Sequence, residues 1–198
     1  MINLLYPNNN KKIYKKKIDY ANRGMKLEAL INEANEYYKI NDIAIIYKKP
    51  TPITINKVKY ESDKKILTKG FFKNKSTLDY VGLYKGYYID FDAKSTTNKT
   101  SFPLNNIHEH QIKHIESIIK HGGISFLIIE MNKEIYLLKG IDLLDYIKNN
   151  NRHSIPYNYI KEKGFNIKLK YSPTLDYIKI IKDYFIGGNY EKEKNNQK

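Results

Sequence analysis

Residues 76–96, STLDYVGLYKGYYIDFDAKST, leave the backbone little choice. Two runs rich in Tyr, Val, Ile and Phe meet at a YKG break, with Gly86 near the turn. Such runs in a period of two read as strands, and the break between them as a hairpin. The second run alternates apolar and charged residues, so Asp90, Asp92 and Lys94 share one face. Like charges side by side on a sheet normally cost energy. The same pairing brings Asp79, just ahead of the first run, close to Asp92 across the ladder. Asp79 is the only acid between Asp63 and Asp90, set among Lys64, Lys65, Lys69, Lys73, Lys75 and Lys85.

Converging carboxylates repel unless a cation or a proton offsets them. The chain has no cysteine, which excludes disulfides and thiolate metal sites. Hard oxygen donors point to Mg²⁺ or Mn²⁺, and Mg²⁺ usually takes one or two protein carboxylates, here Asp79 and Asp92. Such an ion neutralises charge developing on a phosphodiester and activates water. Lys94 is placed to hold the scissile phosphate, orient the attacking water or stabilise the transition state. The plainer alternative is the solvated face of an edge strand, on which D-x-D-x-K does nothing. His110 and His114 stand one helical turn apart, but without H-E-x-x-H or cysteine they make a poor zinc site. Gln111 falls on an apolar helix face with Ile107 and Ile115. A buried amide there needs partners, either a backbone group it caps or a metal or its water. Glu28 borders an apolar stripe and could lean into the site.

The rest of the chain frames this hairpin. Leu27, Leu30, Ile31, Ala34 and Tyr38 have helical spacing, and IAIIYK reads as a short buried strand. Residues 48–75, with two close prolines and many lysines, read as an exposed basic hairpin or stalk. FPLNNIHEHQIKHIESIIKHGG reads as a helix stopped by Gly122 and Gly123, ISFLIIEM and EIYLLKG as strands, and IDLLDYIKNN and TLDYIKIIKDYF as helices. This order makes one α/β domain over residues 20–186, between a basic arm (1–19) and a disordered tail (187–198). Lys and Arg number 35 against 21 Asp and Glu, a net charge of +14. That balance favours a polyanionic partner, nucleic acid ahead of an anionic membrane. Arg23 could hold a phosphate or form a structural salt bridge. No apolar run approaches the ~20 residues of a membrane span, and no signal peptide is evident, so a cytoplasmic protein is expected.

With these segments in this order, the chain resembles the RecU family of Holliday junction resolvases. More broadly it is similar to PD-(D/E)XK nucleases. The similarity extends to ANRGMKLEALINEANEYY, IAIIYKKPTPITI and YSPTLDYIKIIKDYF. It implies a restriction-endonuclease-like core: a mixed central β-sheet flanked by helices, with a projecting basic β stalk. It also implies a homodimer that cuts four-way DNA junctions symmetrically with Mg²⁺ or Mn²⁺ in recombination and repair, alongside recombinase and branch-migration proteins. Residue by residue, it places metal-site roles on Thr77, Asp79, Asp92 and Gln111, and the transition-state lysine on Lys94. Where the family commonly has Glu, this chain has the shorter Asp92. Lys48, Lys49, Lys57, Lys73 and Lys75, with Arg23, are the candidate DNA contacts of the stalk and its surroundings. Two rival readings remain: a non-catalytic DNA-binding accessory protein, and a restriction-type nuclease on linear duplex.

Overall fold

The computed structural model describes residues 21–50, 53–61, 64–72 and 77–186. The expected arm and tail, with Lys73 and Lys75, lie outside them. The described chain starts with α1 (Ala21–Ile40) and β1 (Ile45–Lys48). The face set out by Leu27, Ile31, Ala34 and Tyr38 is buried, as its spacing predicts. Among the described residues, β2 (Ile53–Glu61) and β3 (Lys64–Phe72) pair only with each other, outside the main sheet, and form the expected stalk hairpin. Lys57 faces Lys69 across its ladder, a like-charge pairing that an isolated hairpin disfavours. β4 (Tyr80–Tyr84) and β5 (Tyr87–Ser95) form the hairpin expected around YKG. Its two turn residues, Lys85 (φ 48°) and Gly86 (φ 83°), are both left-handed, as a type I′ turn requires.

The chain continues through β6 (Ser101–Pro103), a 3₁₀ turn at Leu104–Asn106 and α2 (Glu109–Lys120). Then come β7 (Ile124–Met131), β8 (Glu134–Lys139), α3 (Gly140–Asn149), β9 (Ser154–Pro156), α4 (Tyr157–Lys163), β10 (Phe165–Asn166) and α5 (Tyr177–Ile181). The main sheet has six strands in the order β1-β4-β5-β7-β8-β10. Only β5 and β7 run parallel; the other neighbours are antiparallel. The parallel step exists because α2 crosses over between β5 and β7.

Each sheet face carries its own core. On one, α1 and α5 cover Tyr80, Phe91 and Phe126, with Tyr177 of α5 packed against the two phenylalanines. The first three rings are register partners on β4, β5 and β7, stacked with centroids 4.8 and 4.6 Å apart. On the other face, Leu127, Ile129 and Leu138 cluster with Ile115 of α2, Leu143 of α3 and Ile160 of α4. The IAIIYK segment departs from expectation. β1 is the sheet edge, so of its residues only Ile46 is buried, while Ile45 and Tyr47 are exposed. Among the described residues, no helix is long and apolar enough to cross a membrane.

Candidate active site

β5 is the third of six strands, so its polar row lies under protein, not solvent. Asp90 and Asp92 are both fully buried, which removes the solvated-face alternative. The ladder pairs Tyr80 with Phe91 and Lys48 with Tyr80. One step further along the same registers sets Asp79 opposite Asp92 and Lys49 opposite Asp79. The backbone N–H of Lys49 donates to the Asp79 carbonyl at 2.7 Å, which extends the β1–β4 ladder by that step.

Three donors converge on Asp92. The Ala93 N–H donates to its Oδ1 at 2.8 Å, and the Gln111 Nε2 to its Oδ2 at 2.7 Å. The Lys94 ammonium lies 2.9 Å from the same Oδ2. Even so, its pKa is pushed up to about 6. Burial is the largest cause, Lys94 opposes it, and the neighbouring Asp79 carboxylate raises it further. Ionised together, the two acids carry one negative charge more than the Lys94 ammonium offsets.

Gln111 owes its orientation to the start of α2. It is the third residue of that helix, and its side chain forms a capping box with His108. The His108 N–H can only donate, so the Gln111 Oε1 faces it at 3.0 Å. The Thr77 carbonyl can only accept, so Nε2 faces it at 2.9 Å, as it faces Asp92. Gln111 thus both caps a backbone group and reaches the site, through its amide hydrogens.

Asp90 has a different set of partners. Its Oδ2 accepts from the Lys49 ammonium at 2.7 Å and the Tyr88 hydroxyl at 2.9 Å, with the His114 Nε2 3.2 Å away. Its Oδ1 is buried with no partner among the described residues. Lys49 Nζ also donates to the Thr77 hydroxyl at 3.0 Å.

The geometry therefore gathers Thr77, Asp79, Asp92, Lys94 and Gln111 in one place. Lys49, expected among the phosphate-holding lysines, turns its ammonium inward onto Asp90 and Thr77. Lys48 pairs with Glu28 of α1. Lys57 lies exposed on the stalk strand β2, and Arg23 lies in the first turn of α1.

The donor set suits a hard divalent cation. Among the described residues, no three His, Cys, Asp or Glu side chains cluster as a metal site. The protein offers two carboxylates and the Thr77 oxygen, close to what Mg²⁺ usually takes from a protein. With both ionised, Asp79 and Asp92 exceed the Lys94 ammonium by one negative charge, which such an ion would offset.

The family model for RecU, recombination protein U, matches residues 22–183. The chain belongs to the RecU family. Similar RecU proteins, each named Holliday junction resolvase RecU, come from several bacteria. The one from Bacillus pumilus is 48% identical over 166 residues, 82% of this chain and 81% of its own. That from a Geobacillus strain is 45% identical over 183 residues, 89% and 91% of the two chains. That from Streptococcus agalactiae is 43% identical over 180 residues, 89% and 90%. The RecU match spans every element that builds the site, from α1 to α5.

Sequence reasoning missed the partners of Asp90. Two signals were present. Tyr88 stands two residues before Asp90 on the same strand face, and His114 follows Gln111 by one helical turn. Nothing in the sequence pointed Lys49, read there as a DNA contact, toward Asp90, since its long side chain can reach in several directions.

Proposed function

We propose that this protein is a divalent-cation-dependent endonuclease that resolves four-way DNA junctions in recombination and repair. The arrangement of Asp79, Asp92 and Lys94 on one hairpin, in a chain of the RecU family, carries this reading. Asp79, Asp92 and the Thr77 oxygen would hold the cation, Mg²⁺ or Mn²⁺. When bound, it neutralises the carboxylate pair, draws charge from the attacked phosphate and acidifies water.

The protein's own groups do the rest. Lys94 donates to Asp92. With a phosphate seated beside it, the same ammonium is within reach of a non-bridging oxygen, where it offsets charge that grows in the transition state. Gln111 holds the Asp92 carboxylate through its amide and is itself held by the His108 N–H. The buried floor of Leu127 and Ile115 limits water around the acids, which strengthens each of these interactions. The lysines of β2 and β3 hold phosphates without reading bases. Two symmetric cuts call for two sites, supplied by a homodimer.

The deciding experiment compares a mobile four-way junction with a sequence-matched duplex, each with Mg²⁺ and with EDTA. The expected outcome is paired symmetric nicks in the junction arms, with Mg²⁺ only. Junction binding without cleavage would instead mark an accessory protein. Equal cutting of the duplex would mark a restriction-type nuclease.

A further inference from the structure

Residues 77–79 would supply two of the site's oxygen ligands, yet they precede β4 and lie in no strand. Their position rests on tethers. The Leu78 side chain is fully buried, the Thr77 carbonyl is held by Gln111, and the Asp79 carbonyl accepts the Lys49 N–H. A further tether is the Lys49 ammonium on the Thr77 hydroxyl. Lys49 therefore holds this segment twice, once through its backbone and once through its side chain. Its own anchor is firm, because Asp90 is fully buried and is also bonded by Tyr88 and His114.

The place of Lys49 in the chain adds a second meaning. Lys49 is the last residue on the sheet ladder before the stalk strands β2 and β3, and Thr77 opens the described segment that follows them. One ammonium thus ties together the two roots of the stalk and fastens both to the strand that carries Asp92 and Lys94.

We infer that Lys49 is a positioning residue: it clamps the Thr77–Asp79 segment, and with it the stalk's roots, in the geometry that binds the divalent cation. This rests on the proposed nuclease activity and assigns Lys49 inward, not to a DNA phosphate. Groups that orient metal ligands commonly change metal affinity by about 10–100-fold when removed.

Lys49→Met alone would leave Asp90 buried without its cation and could unfold the chain. The test therefore uses Lys49→Met with Asp90→Asn, which removes both charges, and Lys49→Arg, which keeps the charge. Mn²⁺ affinity is measured without DNA by calorimetry, junction affinity in EDTA, and melting temperature for each. The expected result for the double variant is wild-type junction affinity, with Mn²⁺ affinity and single-turnover cleavage each down about tenfold or more. Lys49→Arg recovers most of that loss. If the double variant binds Mn²⁺ as the wild type does, Lys49 merely neutralises Asp90 and the inference fails. If it loses junction affinity and keeps Mn²⁺ affinity, Lys49 is a phosphate contact and the inference also fails.

A measurement on the wild type depends on no variant folding. Amide exchange in segments 45–50 and 77–80 should slow together when Mn²⁺ is added, because a clamp transmits ordering both ways. Slowing in 77–80 alone would overturn the link. A wild type that neither binds Mn²⁺ nor cuts junctions would sink the nuclease activity itself, a result distinct from the failures of the two variants.

Discussion

The surroundings of Asp90 and those of Asp92 are a natural experiment in one strand. Both carboxylates are sealed from solvent, two residues apart, on the same face of β5. Around Asp90 the fold places an ammonium from the end of β1, a hydroxyl from its own strand and an imidazole from α2. Around Asp92 it places an ammonium and an amide, but also a second carboxylate. The first pocket is balanced by the protein alone, whereas the second is left short of positive charge. Burial alone therefore says little about what a buried acid is for. The count and sign of its neighbours separate a structural carboxylate from one that awaits a ligand.

Four substitutions or titrations break or sharpen that contrast. The largest effect belongs to Asp92→Asn, which should reduce junction cleavage on the order of 10²–10³-fold, read under single-turnover conditions with Mg²⁺. The metal-free variant should melt higher than wild type near neutral pH, because a buried charge beside Asp79 has gone. Next comes Gln111→Leu, which leaves both acids but frees Asp92 to rotate. Mn²⁺ affinity should fall about 10–100-fold in a calorimetric titration. Asp90→Asn should do the reverse of Asp92→Asn: cleavage within about tenfold of wild type, but stability lower by ~1–3 kcal/mol in urea melts. If Asp90→Asn and Asp92→Asn gave matching profiles, the distinction between the two pockets would collapse.

The smallest effect is a pH slope. Asp92 titrates near 6 in the folded protein against an ordinary 3.8. Between these values the folded state binds more protons than the unfolded one, so stability falls as pH rises and levels off above about 6. The slope should appear in EDTA as the difference between wild type and Asp92→Asn, and saturating Mg²⁺ should flatten it. A difference that rises with pH would mean that Lys94 outweighs burial and Asp79 at this carboxyl.

Much of this was readable from residue order, for definite reasons. The β4–β5 hairpin announced itself because alternation and turn chemistry are both local, and its register then carried Asp79 to Asp92. α1 showed its buried face because five apolar positions repeat with the helix. The short pieces β6, β9, α4 and β10 did not show, since a few residues hold no period to detect. Nor did the edge position of β1: an apolar run looks the same whether one neighbour covers it or two. For the site, residue types and pairing found both acids and Lys94. The inward turn of Lys49 depends on where Asp90 ends up in three dimensions, 41 residues away.

The type I′ turn at Lys85–Gly86 has a consequence for how the site comes into being. Asp79 and Asp92 are 92 − 79 = 13 residues apart, and a two-residue turn joins their strands. Hairpins of this kind close in about 1–10 μs. Gln111 and Lys49 arrive from 19 to 41 residues away, which is slower. The acids therefore meet while still in water, where their repulsion amounts to about 1 kcal/mol at 4 Å. The full repulsion appears only when α2 docks and strips that water away. A divalent cation held by the pair, as proposed, would act on this last step, as a ligand for folding before it is one for cleavage.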